Sequence, residues 1–199
     1  MWKLKYAVVA ALLGLLSGPL PADRILYAEQ YYELYHQHLY QYPDDSLENI
    51  RYLELALKAD FANPLYAIAR ITDTTEYARY RSLFRMHVNL KLIEQYLHLG
   101  SKFDKFELYF FHREGPWRGA ICDSLGTAEW AYRSALRFWD EALKWSDEAF
   151  RLRGVHLPEI QKWEDENFRI ETDDLNYARI IRGHLDRVAE ARAYLNCTP

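Results

Sequence analysis

The chain has 199 residues and a net charge of −4; half of the residues are hydrophobic, 27% are charged and 16% aromatic, with 16 tyrosines. That length suits one domain with a sizeable core, and so apolar a composition excludes a disordered chain. The negative balance, with no run of Lys or Arg to track phosphates, excludes a nucleic-acid binder.

The chain begins "MWKLKYAVVAALLGLLSGPLPA". Lys3 and Lys5 precede an apolar run from Tyr6 to Leu16, and Ser17, Gly18 and Pro19 break it, the layout of a secretory leader ending at Ala22. The run is shorter than the roughly 20 residues a membrane span needs. Residues 1–22 are therefore read as a leader, either cleaved or kept as an N-terminal anchor, the one membrane contact anticipated; the remaining alternative is a cytoplasmic protein with an apolar first helix. Loss of Lys3 and Lys5 would take the net charge from −4 to −6. Residues 23–199 read as a single all-α domain, because apolar residues recur at helical spacing and nothing alternates with period two for long.

A first helix is predicted over about 24–42, with Ile25, Ala28, Tyr32, Tyr35 and Leu39 on one face and Pro43 at its end. Asp44, Asp45 and Ser46 offer capping oxygens for a second, about 46–60, with Leu47, Ile50, Leu53 and Leu57 in one stripe and Tyr52, Ala56 and Ala59 in another. "FANP" reads as a compact turn that places Pro64 in the first turn of a further helix beginning "LYAIARI". After a pause at "TDTT", a long helix is predicted to about Leu99, burying Tyr80, Leu83, Phe84, Val88, Leu92 and Tyr96, with Gly100 as its stop. A short aromatic helix, "SKFDKFELYFFH", and the loop "REGPWRG" follow.

The helix expected over about 124–152 repeats Ala128, Ala135, Ala142 and Ala149 every seven residues beside Ala131, Phe138, Trp145 and Leu152. A small stripe next to a bulky one lets a neighbouring helix come close. Glu129 to Arg133, Asp140 to Lys144 and Asp147 to Arg151 mark its solvated face. Pro158 opens another helix with Ile160, Trp163 and Asn167. Thr172 or Asp173 caps the last, which runs to about Leu195 with Leu175, Ala178, Ile181, Leu185 and Val188 inward. The total is seven or eight helices, joined by connections short enough for antiparallel neighbours.

Residues 24–64 look like one tetratricopeptide-like hairpin ending in the "AL…D…NP" signature, with a faint echo in "ALKWSD" at 142–147, so any array is degenerate. Over "DFANPLYAIARI", "YRSLFRMHVNLKLIEQYLHLG", "FHREGPW", "YRSALRFWDEALKWS" and "IQKWEDENFRIETDDLNYARIIRGHLDR" the chain resembles a group of tetratricopeptide-like envelope proteins of spirochaetes. The resemblance implies an exported, periplasmic scaffold whose antiparallel hairpins stack as a degenerate tetratricopeptide-like solenoid or bundle. Such proteins of spirochaetes include components of the collar around the periplasmic flagellar motor. The resemblance thus implies protein partners of the envelope or that motor.

No catalytic constellation can be assembled. Glu33 and His36 form an E-x-x-H, the helical pair of di-iron bundles, but no second such pair exists, so no metal or cofactor is expected. There is no Gly-rich phosphate loop and no strand-to-helix elbow for a nucleophile. Glu164, Asp165 and Glu166 read as a solvated acidic face rather than as the acid of a glycan-cleaving enzyme. Cys122 and Cys197 either pair, tying the C-terminal tail to mid-chain, or remain free buried thiols.

Trp117 beside Arg118, following Tyr109, Phe110 and Phe111, has the composition of an interface anchor, and Phe111, Arg113, Trp117 and Arg118 are the candidate partner-binding residues. The competing role for Trp117 is to fold back and plug the end of the bundle. The functional reading is a non-enzymatic exported scaffold. The alternative is a periplasmic ligand-binding protein, associated with a transporter, in which the Tyr-rich N-terminal helices enclose an apolar pocket.

Overall fold

The computed structural model describes residues 27–105 and 115–197. The leader and most of the short aromatic helix lie outside the described residues. Among the described residues the chain is all-helical, with six α-helices: α1 (Ala28–Gln41), α2 (Ser46–Lys58), α3 (Thr74–Phe103), α4 (Arg118–Arg151), α5 (Gln161–Glu171) and α6 (Tyr177–Tyr194). Pro64–Tyr66 and Pro158–Ile160 form single 3-10 turns.

The long pair α3 and α4 is the centre of the molecule. The two run antiparallel: Arg79, near the start of α3, donates to the carbonyl of Ala149, near the end of α4, while Ser124 donates to the carbonyl of Phe103 at the opposite end. Close approach follows from the alanine stripe, since Ala128, Ala135, Ala142 and Ala149 are fully buried. Along its own length α3 buries Tyr80, Leu83, Phe84, Val88 and Leu92. The α1–α2 hairpin packs on α3, α6 packs on α4, and α5 lies across both long helices. On the outer face of α4, Arg133 pairs with Glu129 one turn back, whereas Lys144 pairs with Glu141 and Arg151 with Glu148, three residues away rather than four.

Helix starts follow the capping chemistry. Asp45 accepts from the backbone of Glu48, and Asp73 from those of Thr75 and Glu76. The last helix is capped by Asn176, which accepts from Arg179, not by Thr172 or Asp173. Asp173 takes a left-handed turn instead (φ 59°), which redirects the chain after α5.

Two further boundaries differ from the sequence expectation. "LYAIARI" forms no α-helix: after the 3-10 turn, Ala67 is already extended (φ −66°, ψ 156°). Distant side chains take the backbone groups a helix would have paired internally. Ala62 N–H donates to Glu29 at 2.9 Å, Tyr77 donates to the Ala62 carbonyl at 2.9 Å, and Ile68 N–H donates to the Tyr80 hydroxyl at 3.3 Å. Residues 59–73 therefore form a strap lashed to α1 and α3, and the expected compact joint is absent.

Gly100 does not stop α3, which continues to Phe103. A Cβ added there would sit 2.8 Å from Cδ1 and Cζ of Tyr132 and nearer still to Cε1. The glycine makes room for a ring from α4. Leu47, assigned to the inner stripe of α2, is exposed at the start of that helix.

Candidate functional site

Three places gather chemically useful side chains. The first is the start of α4. Trp117 is its N-cap and is 65% exposed, and Arg118 follows in the first turn, also exposed. In the second turn, Cys122 is joined to Cys197 by a disulfide, with the Cα atoms 5.6 Å apart. A groove of about 850 Å³ runs beside that bond, lined by Arg118, Asp123, Trp130 and Arg192. Trp130 is 52% exposed, with its ring edge-on to Tyr96 at 5.9 Å. Phe111 and Arg113 lie outside the described residues. Sequence reasoning missed Trp130 and Arg192; the signal for Trp130 was a large ring on the outward side of α4, between Glu129 and Arg133.

The second place is a buried polar centre that joins α1, α3 and α5. The acidic run at 164–166 is not a solvated face. Arg79 and Glu164 are 5% and 9% exposed, and Arg79 Nε and Nη2 lie 3.2 and 3.1 Å from Glu164 Oε1. Leu157 N–H and His156 Nδ1 complete the carboxylate's bonds. Glu166 is bonded to His87 Nδ1, while His87 Nε2 lies 2.7 Å from the Tyr32 hydroxyl and Trp163 stacks on the imidazole at 5.0 Å. Only Asp165 of the three acids is exposed. The reason is that α5 is short and crosses two helices, so that it buries Trp163, Glu164, Asn167 and Ile170 together.

Burial pushes the His87 pKa down against the opposing pull of Glu166. A neutral ring that gives its Nδ1 proton to Glu166 must accept at Nε2, so the Tyr32 hydroxyl donates to it. Burial, then the charge of Glu166, raise the Tyr32 pKa well above the usual phenol range. The chain Tyr32–His87–Glu166 thus has the order of a nucleophile, base and orienter. Tyr32 is only 9% exposed, however, and the arrangement ties Tyr32 on α1 to α3 and α5.

The third place is a cleft of about 470 Å³ between α1 and the strap, lined by Tyr27, Glu29, Tyr32, Glu33, His36 and Tyr66 among others. Glu29 is 7% exposed and accepts from the Tyr80 hydroxyl at 3.0 Å and from Ala62 N–H at 2.9 Å. The His36 ring stands edge-on to Tyr32 at 4.5 Å, and burial, then the neighbouring His87, lower its pKa. The E-x-x-H pair, Glu33 and His36, therefore opens on this cleft. Among the described residues no group of three or more His, Cys, Asp or Glu is placed to hold a metal ion. No helix among them is long and apolar enough to cross a membrane.

No curated protein and no solved structure matches the chain. One family model, described as a domain of unknown function (DUF8513), matches residues 75–198. The match takes in Arg79, His87, the Trp117 end and both cysteines, and leaves out α1, α2 and the strap. Since it spans more than half of the sequence, the chain belongs to the DUF8513 family.

Proposed function

We propose that the protein is an exported, non-enzymatic helical scaffold of the cell envelope, with hairpins stacked in a tetratricopeptide-like manner. It binds a protein partner through Trp117, Arg118 and Trp130. The observation that carries this reading is the pair of exposed tryptophans flanking a groove lined by Arg118 and Arg192. Trp and Arg are the residue types that dominate binding hot spots, and a cross-linked surface loses less freedom on association. Phe111 and Arg113 join the proposed surface on sequence grounds. The Cys122–Cys197 bond supports export, because such bonds persist in oxidising compartments. The resemblance to spirochaetal envelope proteins supplies the partner class: envelope proteins, with components of the periplasmic flagellar motor first among them.

Site-specific photocrosslinking in cells tests the surface. A crosslinker at Arg118 should give a discrete adduct with an envelope protein, and one at Phe168, exposed on α5, should not. Trp117→Ala should reduce the Arg118 adduct about tenfold or more while leaving the melting temperature unchanged. Equal adducts from both positions, or an adduct indifferent to Trp117→Ala, would remove this surface from the account.

A further inference from the structure

The cleft between α1 and the strap is independent of the Trp117 surface, and every residue that lines it precedes the family-matched segment. Its walls are mainly apolar, and three of its lining side chains are tyrosines: Tyr27, Tyr32 and Tyr66. Two carboxylates, Glu29 and Glu33, share it, and none of its lining residues is a lysine or arginine. Neither carboxylate forms an ion pair with a basic side chain of the described residues. Glu29 is held by two neutral donors, Tyr80 and Ala62 N–H, and Glu33 by the amide of Gln37 at 3.5 Å. Partial burial of the His36 ring, then the neighbouring His87, lower its pKa and so favour the uncharged form.

A nine-tenths-buried carboxylate that is held, among the described residues, only by neutral donors gains from a group of opposite charge. Aromatic side chains around an acidic cleft are the pattern that attracts alkylated ammonium groups: the rings' quadrupoles and the carboxylates act on a charge that asks for no hydrogen bonds. The available hydrogen bonding agrees. Both Glu29 oxygens already accept a bond, and the Tyr32 hydroxyl is committed to His87. At its buried end the cleft therefore offers charge and aromatic surface more readily than free acceptors, which there favours a quaternary over a primary amine. At about 470 Å³ it is of a size for a small ligand. It is also built in advance, since Tyr32 is tied to His87 and the strap is tied to Glu29, Tyr77 and Tyr80.

We infer that the α1–strap cleft is a binding site for a small quaternary-ammonium compound, seated among Tyr27, Tyr32 and Tyr66 with Glu29 and Glu33 supplying the opposite charge. Glu29 and Tyr32 also hold the fold, so the test uses the exposed members of the site: Tyr66, which is 77% exposed, and Glu33. The full chain is titrated calorimetrically with choline and with 3,3-dimethylbutan-1-ol, its uncharged carbon isostere.

Saturable choline binding is expected, with the isostere at least about tenfold weaker. Tyr66→Ala and Glu33→Gln should each weaken choline about threefold or more, in keeping with one ring or one charge at a partly exposed site. Tyr40→Ala, exposed on α1 but not lining the cleft, should leave it unchanged. Absence of saturable choline binding overturns the inference. So does an isostere that binds as well as choline, or binding that ignores both cleft variants.

Discussion

Replacing Gly100 by alanine sets two effects against each other. In the last turn of a long helix, alanine gains up to about 1 kcal/mol over glycine in intrinsic propensity. Here the new methyl would lie 2.8 Å or less from three atoms of the Tyr132 ring, well inside van der Waals contact. That ring has little room to yield. It is fully buried, it stacks on His184 at 4.7 Å, and its hydroxyl donates to Asp104 at 3.2 Å. Overpacking of this kind costs about 1–3 kcal/mol. The clash should win, for a net loss of about 1–2 kcal/mol, or about 2–8 °C in melting temperature for a domain of this size. Urea unfolding of Gly100→Ala in the native and the Tyr132→Leu backgrounds separates the two effects. With the ring gone, the same substitution should change sign and stabilise by about 0.5–1 kcal/mol. A Gly100→Ala protein that is neutral or more stable, or that loses the same amount in both backgrounds, would refute the steric account.

Glu164→Gln should cost about 3–5 kcal/mol, because it leaves the Arg79 guanidinium buried without a counter-charge; a loss under about 1 kcal/mol in urea unfolding would show that the pair is not buried as described. Removing both partners, Arg79→Met with Glu164→Leu, should lose less than the two single losses combined. Acid should weaken the fold through His87. Its folded pKa lies below the unfolded value of 6.5, so below pH 6.5 the unfolded chain takes up a proton that the folded chain refuses. The contribution is fully present above pH 6.5 and declines as the pH falls toward the folded pKa, at up to about 1.4 kcal/mol per pH unit for this one group. Unfolding free energies measured from pH 7 to 5.5 should fall less steeply in His87→Gln than in the native protein, and equal slopes would show that His87 is not the group responsible.

The α3–α4 pair was legible in the sequence because both helices are long and each buries a stripe with a clear period. Tyr80, Leu83, Phe84 and Leu92 on one helix and the heptad of alanines on the other are all buried. What stayed illegible depends on partners far away along the chain. "LYAIARI" has helical spacing, but its backbone bonds go to Tyr80 and, just upstream, to Glu29 and Tyr77, and tertiary bonds of that kind override local preference. Gly100 was read as a stop because glycine so often follows a helix; the ring that needs its space lies on another helix. Glu164 was placed by composition, although the spacing Ile160, Trp163, Glu164, Asn167 put it within the buried stripe of α5, and its partner Arg79 is 85 residues away. Of the site residues, Trp117 and Arg118 stood out through the Gly-Pro before them. The α1 cleft was visible only as a wealth of tyrosines, because its far wall is the strap that the sequence presented as a helix.

The bond between Cys122 and Cys197 also determines how the chain would bear a load. The two residues are 75 apart in sequence, so from the second turn of α4 through α6 the polypeptide is a closed covalent ring. A pull along the backbone crosses that ring through two sulfur atoms, and the helices within it carry no tension. Among the described residues, only α1, α2, the strap, α3 and the first turn of α4 with the residues just before it remain in series with the force. Reduction would return the bypassed stretch to the load path and let the molecule lengthen by roughly 250 Å when fully drawn out. For a part held between larger assemblies, the redox state of one bond thus sets the limit of extension.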